Sequence, residues 1–201
     1  MRYALVSLAL LLAGCVNFGE DRNAQPIVHY VLADPDSAPA LQRQAAPDPR
    51  TLLVLDTSTS SFYDIDTLAF SRSPNTRGYY QYARWTERPG KRFADLLRAR
   101  LEAQGSFAAV AATGSHVRGE LLLDTELVEF YHDASDPPGS AHIVLRVKLI
   151  DLKNRSLIGR TLLEQRVEAS SYDAAGAAEA FNLATGRVLD ELLVWLDQVK
   201  K

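Results

Sequence analysis

The sequence predicts a two-layer α+β domain: a mixed, largely antiparallel sheet with a crossover helix and a long C-terminal helix packed on it. Three observations carry that prediction. Phe93, Leu96, Leu97 and Leu101 recur at helical spacing between two strand-like stretches. Three alternating segments then follow one another between residues 119 and 169, joined by short polar turns. The chain closes on a single apolar stripe running from Asp173 to Val199.

The elements are taken in order. Arg2 supplies a positive start, Ala4 to Leu12 is apolar apart from Ser7, and the small residues Ala13 and Gly14 follow. A bilayer-spanning helix needs roughly 20 apolar residues, and this run is too short. Residues 1–14 therefore read as a secretory signal peptide and stay outside the fold. The order Leu12-Ala13-Gly14-Cys15 resembles the lipobox of bacterial lipoproteins. That likeness implies that Cys15 takes a diacylglycerol thioether and, once the leader is removed, an acyl chain such as palmitate on its new amino terminus. The competing reading is an ordinary signal peptide with an incidental cysteine. The position, neighbours and uniqueness of Cys15 favour the lipobox.

Residues 15–25 carry Asn, Gly, Glu, Asp and Arg without periodicity and read as a lipidated tether. A flexible tether of about ten residues spans somewhat under ~20 Å. Residues 26–201 form the domain. Pro26 to Leu32 predicts a short strand, and the prolines at 35, 39, 47 and 49 make Ala33 to Arg50 a loop. Thr51 to Thr57 reads as a strand buried on both faces, ended by the Ser/Thr cluster at 57–61. Ile65 to Arg72 and Gly78 to Trp85 frame the turn residues Ser73 to Gly78 and predict a β-hairpin. In its second arm Tyr80, Tyr82 and Arg84 alternate with Tyr79, Gln81, Ala83 and Trp85.

Gly105 stops the first helix, and Phe107 to Ala112 is a returning strand, so the helix is a crossover. Segments 119–133, 141–151 and 157–169 read as an antiparallel meander. Ile143, Leu145, Val147 and Leu149 alternate with Val144, Arg146, Lys148 and Ile150, so one face is apolar and the other mixed.

Composition bounds the function. Without Arg2, 21 basic residues stand against 25 acidic ones, which argues against a nucleic-acid partner. With one cysteine there is no disulfide within the chain, and stability rests on the core. No catalytic residue is identified. His132, Asp133 and His142 flank one hairpin and offer metal-ligand chemistry, but neither an HExxH spacing nor a CxxC pair supports a metal site. Ser58 to Ser61 lacks a GxSxG elbow. The pairs Asp64/Asp66 and Asp124/Glu126 fit solvated alternation better than a glycosidase pair. No glycine-rich phosphate loop occurs, and no cofactor is predicted.

The lipobox, the strand ending Tyr30-Val31-Leu32, residues 69–75, the segment Tyr82-Ala83-Arg84-Trp85-Thr86-Glu87-Arg88-Pro89 and the helix start Phe93-Ala94-Asp95-Leu96-Leu97 together resemble the ABC-type transport auxiliary lipoproteins, the PqiC-like family. Residues 120–130 and 143–151 extend the likeness over nearly the whole mature chain. The resemblance implies a non-catalytic subunit of an envelope lipid-transport system, working beside an ABC permease and ATPase and a periplasmic MCE-domain protein. Val16 rather than Asp after Cys15 points to the outer membrane, periplasmic face, in a Gram-negative host. Tyr79, Tyr80, Tyr82, Arg84 and Trp85 are the candidate partner interface, since Tyr, Trp and Arg are enriched at such contacts; the alternative is that Trp85 packs under its own helix. A homo-oligomer stays open. So do an outer-membrane lipoprotein activator of a periplasmic enzyme, such as a cell-wall synthase, and a lipid carrier with an apolar cavity.

Overall fold

The computed structural model describes residues 25–35 and 47–200. The leader, Cys15, the tether before Gln25 and residues 36–46 of the proline-rich segment lie outside them. In chain order the strands are β1 (Val28–Tyr30), β2 (Asp48–Val54), β3 (Ser58–Thr59), β4 (Thr67–Ser71), β5 (Gly78–Trp85), β6 (Phe107–Ala112), β7 (Leu121–Asp133), β8 (Ser140–Asp151) and β9 (Ser156–Glu168). Helix α1 (Pro89–Gln104) lies between β5 and β6, and α2 (Ala174–Val199) ends the described chain.

β7 organises the sheet. Along one edge it pairs antiparallel with β8 from Leu121↔Asp151 to Asp133↔Ser140, and β8 pairs antiparallel with β9 over its own whole length. The opposite edge of β7 takes three parallel partners end to end: β2 at Leu121–Leu123, β3 at Glu126 and Leu127, and β4 at His132 and Asp133. β6 extends β2 in parallel, while β5 pairs antiparallel with β4 and then carries β1 in parallel. The sheet therefore forks beyond β7 into a β2–β6 arm and a β4–β5–β1 arm. The mixed α+β sheet expected from the sequence is present, and its long ladders are the antiparallel ones.

The helices share one face. α1 packs on β6, α2 packs on β8 and β9, and the two touch each other. Pro89 starts α1, where a missing N–H costs nothing, and Gly105 ends it in the left-handed conformation at φ 64°, its N–H donating to the Leu101 carbonyl at 3.2 Å. Asp173 caps α2 by accepting from the Gly176 N–H at 2.9 Å. Gly159 lets α2 lie close on β9, since a Cβ there would meet Val199 and Trp195. The predicted stripes are the buried ones: Phe93, Leu97 and Leu101 on α1, and Ala177, Phe181, Ala184, Val188, Leu192 and Leu196 on α2.

At the centre Trp85, Phe130 and Phe181 meet, with ring centroids 4.3 to 5.8 Å apart. Each fully buried aromatic or aliphatic side chain of this kind contributes about 1.5–3 kcal/mol.

Four expectations shift in detail. β1 is three residues long, because outside Val28–Tyr30 the chain does not pair with β5. β2 starts at Asp48, inside the stretch read as loop: the Asp48 N–H reaches the Ser106 carbonyl at 2.9 Å, and the ladder to β6 breaks register between Asp48 and Thr51, around Pro49. β2 is buried on one face, with Leu52 and Val54 inside and Leu53 half-buried, since helices cover a single side of the sheet. On β5, Tyr80 does not share a face with Tyr82: it turns inward with Ala83 and Trp85, because the ladder to β4 is bulged between them.

Candidate functional site

The β4–β5 hairpin forms around the predicted turn. The Thr76 N–H and hydroxyl both reach the Ser73 carbonyl, and Asn75 takes φ 62°, which Asn tolerates better than most residues. Its ladder is uneven. Ala69 pairs with Tyr79 and Thr67 with Arg84, so a single residue of β4 faces four of β5. This wide bulge reverses the alternation. Tyr80 packs against the core on one side of it, and Ala83 and Trp85 do so on the other.

The five residues singled out in the sequence therefore separate. Tyr82 is 40% exposed and Tyr79 39%, the latter stacked on Phe62 with its hydroxyl donating to the Phe62 carbonyl. Tyr80 is half-buried, and its hydroxyl meets His132 Nδ1 at 2.7 Å; burial pushes that phenol up to about 12. Arg84 folds back on its own strand and donates to the carbonyls of Tyr80, Gln81 and Ala83 at 3.0 to 3.3 Å, holding the bulge closed. Trp85 is 1% exposed, so it packs beneath the helices and is no part of a surface. Cys15 lies outside the described residues.

The uncovered end of this arm leaves a groove of about 600 Å³ between β1, β5 and the first turn of α2. Val28, Tyr30, Tyr80 and Tyr82 line it on the strand side and Ala174 and Ala175 on the helix side. Asp173 stands at its rim, its carboxyl held below the ordinary range chiefly by the Gly176 backbone N–H and the Ser171 hydroxyl, and so ionised at neutral pH. Burial, with Asp173 nearby, raises the Tyr30 phenol.

The segment after β1 is strapped to both helices. Arg92 Nε donates to the Leu32 carbonyl, Asn182 Oδ1 accepts from the Ala33 N–H, and the Arg100 guanidinium grips the Asp34 carboxylate through two bonds of 2.7 and 2.6 Å while reaching Asp190. A second cluster, Tyr63, Arg77 and Glu129, fixes the hairpin to β7, with Arg77 lying 3.7 Å over the Tyr131 ring. Sequence reasoning found none of these partners. The nearest signal was Asp34, the first acid after the apolar run from Pro26 to Ala33.

The other chemical candidates dissolve. His132 pairs with Ala141, while His142 stands opposite Tyr131, one step further along the ladder, so the two rings project to opposite faces of the sheet. His132 is held by Tyr80 and the Pro138 carbonyl, and His142 by Glu164 at 2.9 Å. Among the described residues no three His, Cys, Asp or Glu side chains cluster to hold a metal. Asp124 and Glu126 pair across the strand with Lys148 and Arg146. Ser58 bonds the Thr125 carbonyl and Thr57 the Thr125 hydroxyl, so this run anchors β3 to β7.

The fold is thus a sheet with its helices on one side, the segment after its first strand strapped to both of them and a groove left open beside that strand. Residues 30–192 match the family model described as ABC-type transport auxiliary lipoprotein component, and the chain belongs to that family. It is a family of lipid-anchored envelope proteins that assist transport. No curated protein matches the chain.

Among solved structures, protein XCC0632 from Xanthomonas campestris superposes with a TM-score of 0.73 at 23% identity, over 84% of this chain and 93% of that one. An uncharacterized protein superposes with a TM-score of 0.66 at 10% identity, over 86% and 99%. The hypothetical protein CT253 from Chlamydia trachomatis follows with a TM-score of 0.51 at 12% identity, over 76% and 98%. At these identities the likenesses establish the fold.

Proposed function

We propose that this chain is a non-catalytic auxiliary subunit of an MCE-type ABC lipid-transport system, held by an acylated Cys15 at the periplasmic face of the outer membrane. The family match over residues 30–192 carries the reading. The lipobox order before Cys15 supports the anchor, and Val16 in place of Asp supports the outer rather than the inner membrane. Two or more acyl chains hold a protein firmly where one binds only reversibly.

On this reading residues 1–14 are removed, residues 15–25 set the reach, and the domain from residue 26 docks the MCE-domain protein of the permease and ATPase assembly. Tyr79 and Tyr82 are the exposed part of the predicted interface, and Tyr80 and Tyr82 line the groove.

In-cell cross-linking of the full chain tests the partner. The expected product joins it to the MCE-domain protein; a cell-wall synthase captured in its place moves the chain to the activator reading. Cys15→Ala tests the anchor: the variant is expected to escape lipoprotein processing and leave the outer-membrane fraction. Normal processing with retention there sinks the lipid attachment.

A further inference from the structure

β1 is the outermost strand of its arm, and its two edges differ. Toward β5 the bonds are closed: Val28, His29 and Tyr30 register with Ala83, Arg84 and Trp85, and the Tyr30 carbonyl accepts from the Thr86 N–H at 2.9 Å. Backbone groups alternate along a strand, so the N–H and C=O of His29 point away from β5. On that side no strand pairs with them among the described residues.

The flanking side chains are apolar and open, Ile27 at 51% and Val31 at 53% exposure. Natural sheets blunt free edges with charge. The outermost strand at the other side of β7 does so: β9 carries Arg160, Glu164, Arg166 and Glu168. Residues 25–33 contain no Asp, Glu, Lys or Arg. The tyrosine-lined groove adjoins this uncharged edge, with Asp173 as the charged group at its rim.

We propose that the β1 edge and this groove take an extended segment of the partner protein as an added strand. The segment pairs with the His29 backbone, drops apolar side chains at alternate positions toward Val28, Tyr30 and Tyr82, and brings a Lys or Arg to Asp173. Charge complementarity selects this occupant. An anionic headgroup or an acidic segment would meet Asp173 with like charge, and an acyl chain has no backbone groups to answer those of His29. The inference deepens the docking role proposed above and rests on it.

The test uses the full-length lipoprotein in detergent micelles and the purified MCE-domain protein encoded beside its ABC permease, with capture and amide hydrogen exchange read on the same samples. Capture is expected, with exchange at the His29 amide slowed by about tenfold or more. His29→Pro removes the outward N–H and leaves the β5 bonds in place, and should weaken capture by about tenfold, the worth of one backbone hydrogen bond. His29→Thr keeps the N–H and should stay within about twofold. Should the proline variant melt early, the wild-type exchange decides alone.

Capture with His29 unprotected overturns the added strand and leaves the docking role standing. Absence of capture defeats both. Protection by phosphatidylethanolamine and phosphatidylglycerol vesicles alone assigns the groove to lipid, and protection that grows with the lipoprotein's own concentration assigns it to a second copy; either overturns the proposal.

Discussion

The β7–β8–β9 half and the β4–β5–β1 arm are built from the same kinds of residue and do different work. In the first, long antiparallel ladders, each with one register shift, run from Leu121 to Glu168 and α2 lies across them, so side chains on that face are sealed from water. In the second, ladders are short, a wide bulge interrupts β5, and tyrosines face solvent or a groove. The apolar side chains between α2 and the sheet are covered, while beside β1 the groove leaves tyrosines uncovered. On the docking role proposed above, the first half holds the molecule together and the arm presents its surface.

The largest expected effect comes from attacking the sealed half. Phe181→Ala removes the ring stacked on Phe130 and set edge-on to Trp85, and should cost about 3–5 kcal/mol in denaturant unfolding. If the loss is confined to the β5 arm by hydrogen exchange while α2 stays protected, the separation between the halves is wrong.

Asp34→Ala comes next. It removes the carboxylate that grips the Arg100 guanidinium through two bonds and should cost about 3 kcal/mol, the low end for a broken buried pair. Exchange should rise first at residues 31–33, which this strap pins to the helices. Uniform loosening would mean the strap is part of the core.

His132 on β7 and His142 on β8 are both buried. Burial lowers both from the ordinary histidine value, so below about pH 6.5 the unfolded chain binds protons that the folded chain refuses. Stability is therefore in place above that pH and falls as acid carries the solution toward the lower folded-state values. Unfolding followed between pH 8 and 5 should show the decline, and His132→Gln should make it shallower while His142 keeps its share. A flat wild-type profile would detach the Tyr80–His132 contact from the stability of the arm.

The smallest effect on stability belongs to Tyr82→Ser. The side chain is exposed, so unfolding should shift by no more than about 0.5 kcal/mol while capture of the MCE-domain protein drops severalfold. Unchanged capture removes Tyr82 from the docking surface. Tyr80 is a poorer probe, because its loss would also strip His132 Nδ1 of its partner.

Much of the fold was legible in the sequence. The helix from Phe93 to Leu101 with its stop at Gly105, the hairpin around Ser73–Gly78, the three meander strands and the capped terminal helix each follow from periodicity over many residues, and local errors average out over such lengths. Bulges do not work that way. Val128 is an extra residue on β7 between Leu127 and Glu129, and it turns Phe130 and His132 to the face that Leu127 occupies; strict alternation would have placed Glu129 there. The β5 bulge separated Tyr80 from Tyr82 in the same manner. Asp34 and Arg100, which hold the N-terminal segment, stand far apart in the chain, and nothing in either local pattern announces the other.

By itself the sequence determined the element types, the one-sided helix layer and the family, because each is written in residue order: apolar spacing, turn residues, and the run of motifs from Tyr30 to Asp151. Tertiary structure alone decided that β7 forks the sheet, that Trp85 is core while Tyr82 is surface, and that β1 ends with an open, uncharged edge beside a groove. These depend on which strands meet and in what register, and a one-residue slip in register exchanges inside for outside.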